Sequence, residues 1–134
     1  MNTKVPVENV RLKRAYEPPA ADDGARILVD RLWPRAISRE ALALDQWMKD
    51  IAPSTALRRW FGHDPGRWHE FCRRYAVEVH EHRDLLQELR ARARKGRITL
   101  VFSACDERHN DAVALRNLIL HGWVDPETTK EQKK

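Results

Sequence analysis

The sequence predicts a small α/β domain, and three observations carry that prediction. Short β-branched runs alternate with longer helical stripes, an order that builds a mainly parallel sheet. The run Ile98-Thr99-Leu100-Val101-Phe102 is apolar almost throughout, as a strand buried on both faces must be. At 134 residues the chain is most simply one domain, long enough to bury a core without disulfides or a structural metal. The single domain is expected over residues 1–124, with 125–134 as a disordered polar tail.

Each element has its own reason. Val7 to Arg14 alternates apolar and polar residues and reads as a first strand centred on Val10 and Leu12. Tyr16 to Gly24 carries Pro18-Pro19 and Asp22-Asp23-Gly24 and reads as a loop. Arg26 to Asp30 is a second strand, which Pro34 prevents from continuing. Ser38 can cap a short helix through Glu40 to Leu44. Asp45 to Ala52 fits either a helix or a strand, and its length tips the reading slightly toward strand. Ser54 caps a helix from Thr55 to about Phe61. Asp64-Pro65 starts the next, an acid to accept the first amides and a proline suited to the first turn.

Trp68, Phe71, Cys72, Tyr75 and Val79 form one apolar stripe, and His82, Leu85, Leu86, Leu89 and Ala93 continue it. The stretch is one long helix or two with a break at His80 to Arg83, ending at Lys95-Gly96. Arg97 to Ser103 is the strongest strand, and about Arg108 to His121 the last helix. Together these elements predict a three-layer, Rossmann-like sandwich whose sheet is flanked by helices.

Composition narrows the partners. The formal charge is +5, and charged residues make up 34% of the chain. This balance favours anionic partners, although twenty acids are too many for a lopsided DNA binder. Two cysteines make no disulfide framework, and no signal peptide or membrane span is visible, so the expectation is a cytoplasmic protein without a membrane partner.

Ligands of parallel sheets gather beyond the carboxyl ends of the strands. Two strand ends here are unusually polar. After the second strand come Asp30, Arg31, Trp33 and Arg35. Arginine offers a planar fork for phosphate or carboxylate. Asp30 could orient an arginine, hold a ribose hydroxyl or act as a base, and Trp33 could stack on a ligand or pack. After the last strand come Ser103, Cys105, Asp106, Glu107, His109 and Asn110. His109 and Asn110 can both bond a ligand, and neither is needed to start a helix if Asp106 does so. Between these stretches, His63 and Asp64 precede a helix start, where an anion would also be attracted. Cys105 is unpersuasive as a nucleophile, because Asp111 stands where the cysteine phosphatase pattern needs arginine.

Five motifs run in order across roughly residues 8 to 121: Asp23-Gly24, Leu28 to Arg35, Ala52-Pro53-Ser54, Trp60 to Pro65, and Asp106 to Asn110. Together they resemble the compact bacterial branch of the family called domain of unknown function 488. The resemblance implies an α/β fold and a small cytoplasmic protein; the family's name records no established activity. Ala36, Cys105 and Asp111 depart from its pattern, standing where glycine, lysine and a second histidine are frequent. They weigh against any mechanism built on that lysine or on a His-Asn-His set.

The leading expectation is a small enzyme or binding protein for an anionic, phosphate-bearing small molecule. Its candidate catalytic residues are Asp30, His63 and His109. Its candidate ligand-binding residues are Arg31, Trp33, Arg35, Asp106 and Asn110. The alternative is a nucleic-acid or protein binding module without catalysis, whose signal is the arginine face of residues 67–97. A third reading makes the polar strand ends internal ion pairs only. No zinc, EF-hand, P-loop or dinucleotide pattern is present, so no metal is expected, and the cofactor and oligomeric state stay open.

Overall fold

A computed structural model describes residues 4–122. The expected tail at 125–134 lies outside the described residues. The four strands are β1 (Val10–Arg14), β2 (Ala25–Leu28), β3 (Gln46–Trp47) and β4 (Ile98–Phe102). They form one all-parallel sheet in the order β1-β4-β2-β3. The helices are α1 (Arg39–Leu42), α2 (Thr55–Phe61), α3 (Trp68–His80), α4 (Arg83–Lys95) and α5 (Asp111–His121).

The strongest strand in the sequence takes the centre. All five residues of β4 are buried, with β1 on one side and β2 on the other. Alternation then sorts its side chains. Ile98, Leu100 and Phe102 join Ile27 and Val29 in the main core, which Phe71, Tyr75, Leu86, Leu89, Leu115 and other helix residues complete. On the opposite face Leu28 and Val101 meet Ala15 and Leu42, with Trp33, Ile37, Leu44 and Trp47 around them. The sandwich is therefore lopsided: three long helices fill one side, and the four-residue α1 with its flanking loops forms the other.

Caps set most helix boundaries. Ser38 accepts the amide of Ala41 and Ser54 that of Leu57, while Asp64 accepts that of Gly66 and starts a 3-10 turn at Pro65–Arg67 that leads into α3. The α3–α4 stripe breaks at Glu81-His82, so the two-helix reading holds. The first strand starts later than its alternation predicts, because the Val10 amide turns back to the Val7 carbonyl and makes Val7–Asn9 a 3-10 turn. The ambiguous Asp45 to Ala52 stretch divides into the two-residue β3 and a 3-10 turn at Lys49–Ile51. The last helix begins at Asp111 rather than Arg108, because Asn110 is its cap.

A buried ion pair under the thinner face had no periodic signal in the sequence. Asp23 and Arg26 are only 1% and 4% exposed and pair at 2.8 Å. Lys13 reaches Asp23 at 3.1 Å, and Arg26 also donates to the carbonyls of Leu42 and Ala43. Gly24 separates the turn from β2 with φ 66°, and a Cβ there would sit 2.0 Å from the Arg97 carbonyl oxygen. Only glycine allows that approach.

Candidate functional site

Asp30 leaves the end of β2 and joins neighbouring chain segments. Its Oδ2 accepts both the amide and the hydroxyl of Ser103 at 2.9 Å, just past the end of β4. Its backbone carbonyl accepts the Trp47 indole N–H at 2.8 Å, at the end of β3. The predicted convergence of polar strand ends is therefore real for Asp30 and Ser103.

A second carboxyl meets Asp30 there. Asp111, the first residue of α5, lies close enough to Asp30 for their charges to repel. Burial and the charge of Asp30 push Asp111 well above the usual carboxylate range. The Ala112 amide and the Arg58 charge pull weakly the other way. Two close carboxyls cannot both ionise cheaply, so Asp30 disfavours the charged form of Asp111.

Tyr75 lies beneath this pair. Its buried hydroxyl donates to the Ile51 carbonyl at 2.6 Å. Burial first, then the charges of Asp111, Glu78 and Asp30, push its phenol well above its usual range, with Arg31 opposing. Arg31 donates to the carbonyls of Ala52 at 3.1 Å and Pro53 at 3.4 Å. Glu78 takes the amide and hydroxyl of Ser54 at 2.8 and 2.6 Å. Arg31, Ser54, Glu78, Glu81 and His82 line an adjoining notch of about 220 Å³. That volume lies below the usual range for drug-sized ligands, so the notch suits a small one.

The other predicted residues sit elsewhere or are engaged. Trp33 packs edge-on against Trp47 at 5.5 Å and donates to the Ile37 carbonyl. Arg35 is exposed. His63 is exposed on a turn with φ 58°, 6.4 Å from the Phe61 ring. His109 holds Asp106 through Nδ1 at 3.0 Å and stands edge-on to Trp68. Bonds from the Arg108 amide, then from the His109 ring, keep the Asp106 carboxyl below its ordinary range. No hydrogen bond joins Asp30 to either histidine among the described residues.

Asn110 corrects the sequence reading, which held that the last helix could start without it. Its Oδ1 accepts the Val113 amide and its Nδ2 donates to the Asp106 carbonyl, so both ends of the amide are in use. Asp106 instead holds the turn before the helix, accepting the amides of Arg108 and His109.

The sequence reading also passed over Tyr75, Arg58 and Glu78, and noticed Asp111 only as a departure. Tyr75 had one usable signal: a tyrosine in an apolar stripe needs a partner for its hydroxyl. Of the thiols, Cys72 is pushed up to about 11 by burial, and Cys105 is exposed beside the Arg14 guanidinium at 3.9 Å. Among the described residues no group of three or more His, Cys, Asp or Glu side chains could hold a metal ion. No helix among them is long and apolar enough to cross a membrane.

Residues 9–134 match the model of the inactive DUF488-N3 subclade. The chain belongs to that family. It is similar to the uncharacterized protein YeaO of Escherichia coli K12, 42% identical over 116 residues, which cover 87% of this chain and 96% of YeaO. The uncharacterized protein Rv3073c of Mycobacterium tuberculosis H37Rv is 39% identical over 110 residues, covering 82% of this chain and 92% of the relative. No solved structure matches the chain. The subclade match spans every strand and helix described above, so the carboxyl pair stands inside the family's own domain.

Proposed function

We propose that this chain is a binding protein for a small, phosphate-bearing molecule, held at the carboxyl edge of the sheet without turnover. One observation carries this reading: Asp30, tied to Ser103 past the end of β4, stands with Asp111 and Arg31 beside a notch of about 220 Å³ at the carboxyl edge of the sheet. A strand end needs one carboxylate to tie it. A second, half-buried beside the first, is disfavoured in its charged form and works against stability as pH rises. Costly groups of this kind concentrate at ligand sites. Arg58 and Arg31 supply positive charge, and Asp111, shifted toward its protonated form, can offer a hydrogen-bond donor to a ligand oxygen.

The absence of turnover is supported by how the candidate catalytic groups are held. Asp30 is engaged by Ser103, and no hydrogen bond links it to His63 or His109 among the described residues. The description of the subclade as inactive agrees with this.

Titration of 15N-labelled protein with inorganic phosphate and with adenosine monophosphate tests the proposal. Amide shifts should concentrate at Asp30, Ser103, Asp111 and α2. Arg58→Ala should weaken binding about tenfold, a single charge-assisted contact. Asp111→Asn should bind within about twofold of the parent, because the amide keeps a donor at that position. No shifts at millimolar ligand, or equal affinity in Arg58→Ala, would overturn it.

A further inference from the structure

A second surface has a chemistry of its own. Between Thr55 and Arg74 the chain places five arginines against two acids, Asp64 and Glu70. Two half-buried tryptophans lie among them. The Arg74 guanidinium lies over the Trp60 ring at 4.2 Å and that of Arg67 at 5.1 Å. The acids hold these cations in place. Glu70 takes Arg73 through a two-bonded fork at 2.9 and 2.7 Å and Arg74 at 2.8 Å. Asp64 pairs with Arg67 at 3.7 Å, and Arg67 also donates to the Trp60 carbonyl. Nearby, Trp68 stands edge-on to His109 at 5.3 Å.

We propose that this face, built by α2 and the start of α3, binds single-stranded nucleic acid, with the Trp60–Arg67–Arg74 stack at its centre. Charge complementarity points to a polyanion. The planar, stacked guanidiniums point to phosphate, which they bind through two parallel N–H groups. Arginines already ordered by stacking and by Glu70 lose less side-chain freedom on binding. Single strands expose bases that stack on guanidinium planes as well as on aromatic rings, and the Arg67 and Arg74 planes laid on Trp60 present such a platform while the backbone follows the charges.

The chain has a second basic stretch, from Arg83 to Arg97, with six cations against two acids. It contains no tryptophan, and two of its arginines are turned into the fold: Arg92 onto Gln46 and Arg97 onto the carbonyls of Glu8 and Asp22. It therefore serves as the control.

The test is fluorescence anisotropy of a labelled 15-mer of deoxythymidine and the matching duplex, with the full chain, across a range of salt. The single strand should bind with log K falling against log salt at a slope of about −2 or steeper, three or more phosphates at ~0.7 each. Arg67→Glu with Arg74→Glu should weaken binding at least tenfold. Arg94→Glu with Lys95→Glu, the same change of charge on α4, should weaken it less than threefold. Circular dichroism melts confirm that each variant folds, and Arg74→Gln provides a milder probe should the double variant fail to do so. Absent binding at 50 mM salt, equal losses in the two double variants, or equal affinity for duplex would each overturn the proposal. An equally tight hold on polyglutamate would do so too. Asp111→Asn, which lies on α5, separates the two readings: it changes the carboxyl pair and leaves Trp60, Arg67 and Arg74 in place, so it should leave single-strand binding within about twofold.

Discussion

Asp23 and Asp111 are both enclosed carboxyls, yet their surroundings drive them in opposite directions. Burial disfavours the Asp23 anion, but the Ala20 amide, Lys13 and Arg26 outweigh it and hold the group below its ordinary range. Its contribution to stability is present above the unfolded pKa near ~4 and is lost as pH falls through the lower folded value. At Asp111 burial and the Asp30 charge outweigh the Ala112 amide and Arg58, and the raised pKa removes stability as pH rises above ~4. Asp23→Asn should therefore destabilise the chain at pH 7 by about 3 kcal/mol, the scale of a broken buried pair. Asp111→Asn should raise Tm by several degrees at pH 7, the response of a domain this size to about 1–2 kcal/mol. Both differences should shrink toward pH 3. Thermal melts across pH 3 to 7 check them, and a Tm lowered at pH 7 by Asp111→Asn would contradict the account of the carboxyl pair. Asp30 was legible because an acid at a strand end has few structural reasons to be there. Its partner was not, because the first residue of a helix is an ordinary place for an acid.

Ser54 is the clearest case at the scale of elements. It caps α2 by accepting the Leu57 amide at 3.1 Å, and its hydroxyl donates to Glu78 on α3. A local signal thus also fixes how two helices meet. Ser54→Ala should cost about 1–2 kcal/mol, a lost cap with its partner left in place, measured by urea denaturation. Gly24→Ala should be worse, because the new methyl meets the Arg97 backbone rather than a side chain that could swing away. Its soluble yield and Tm should both fall sharply. Caps and breakers were readable because they act within three or four residues of sequence. Asp45 to Ala52 was not, because a two-residue strand leaves no period. Its pairing with Ile27 and Leu28 decides its form.

For the whole molecule, the uneven layers predict uneven stability. The main core gathers residues from every strand except β3 and from α2 to α5, whereas the opposite cluster rests on four fully buried side chains. Regions with few buried apolar contacts open first. Amides of α1 and its flanking loops should exchange with deuterium well before those of β4 and α5, and equal protection would contradict the picture. The parallel α/β class was legible from the alternation of strand and helix signals. Strand order was not, because it depends on which surfaces meet. Nor was the charged pair under α1: Asp23 and Arg26 are only three residues apart, but the partners that hold them, Lys13 and the Leu42 and Ala43 carbonyls, come from other elements.

The strand order also has a consequence during synthesis. Among the described residues β1 touches β4 and no other strand, and β4 is the last strand of the sheet to be made. A ribosome that has reached Gly96 has released three strands with no centre to join them. β1 must wait for more than eighty residues of intervening chain before it has a partner. The nascent protein therefore carries exposed apolar helix faces for most of its elongation, the period when chaperones and competing chains have access to it.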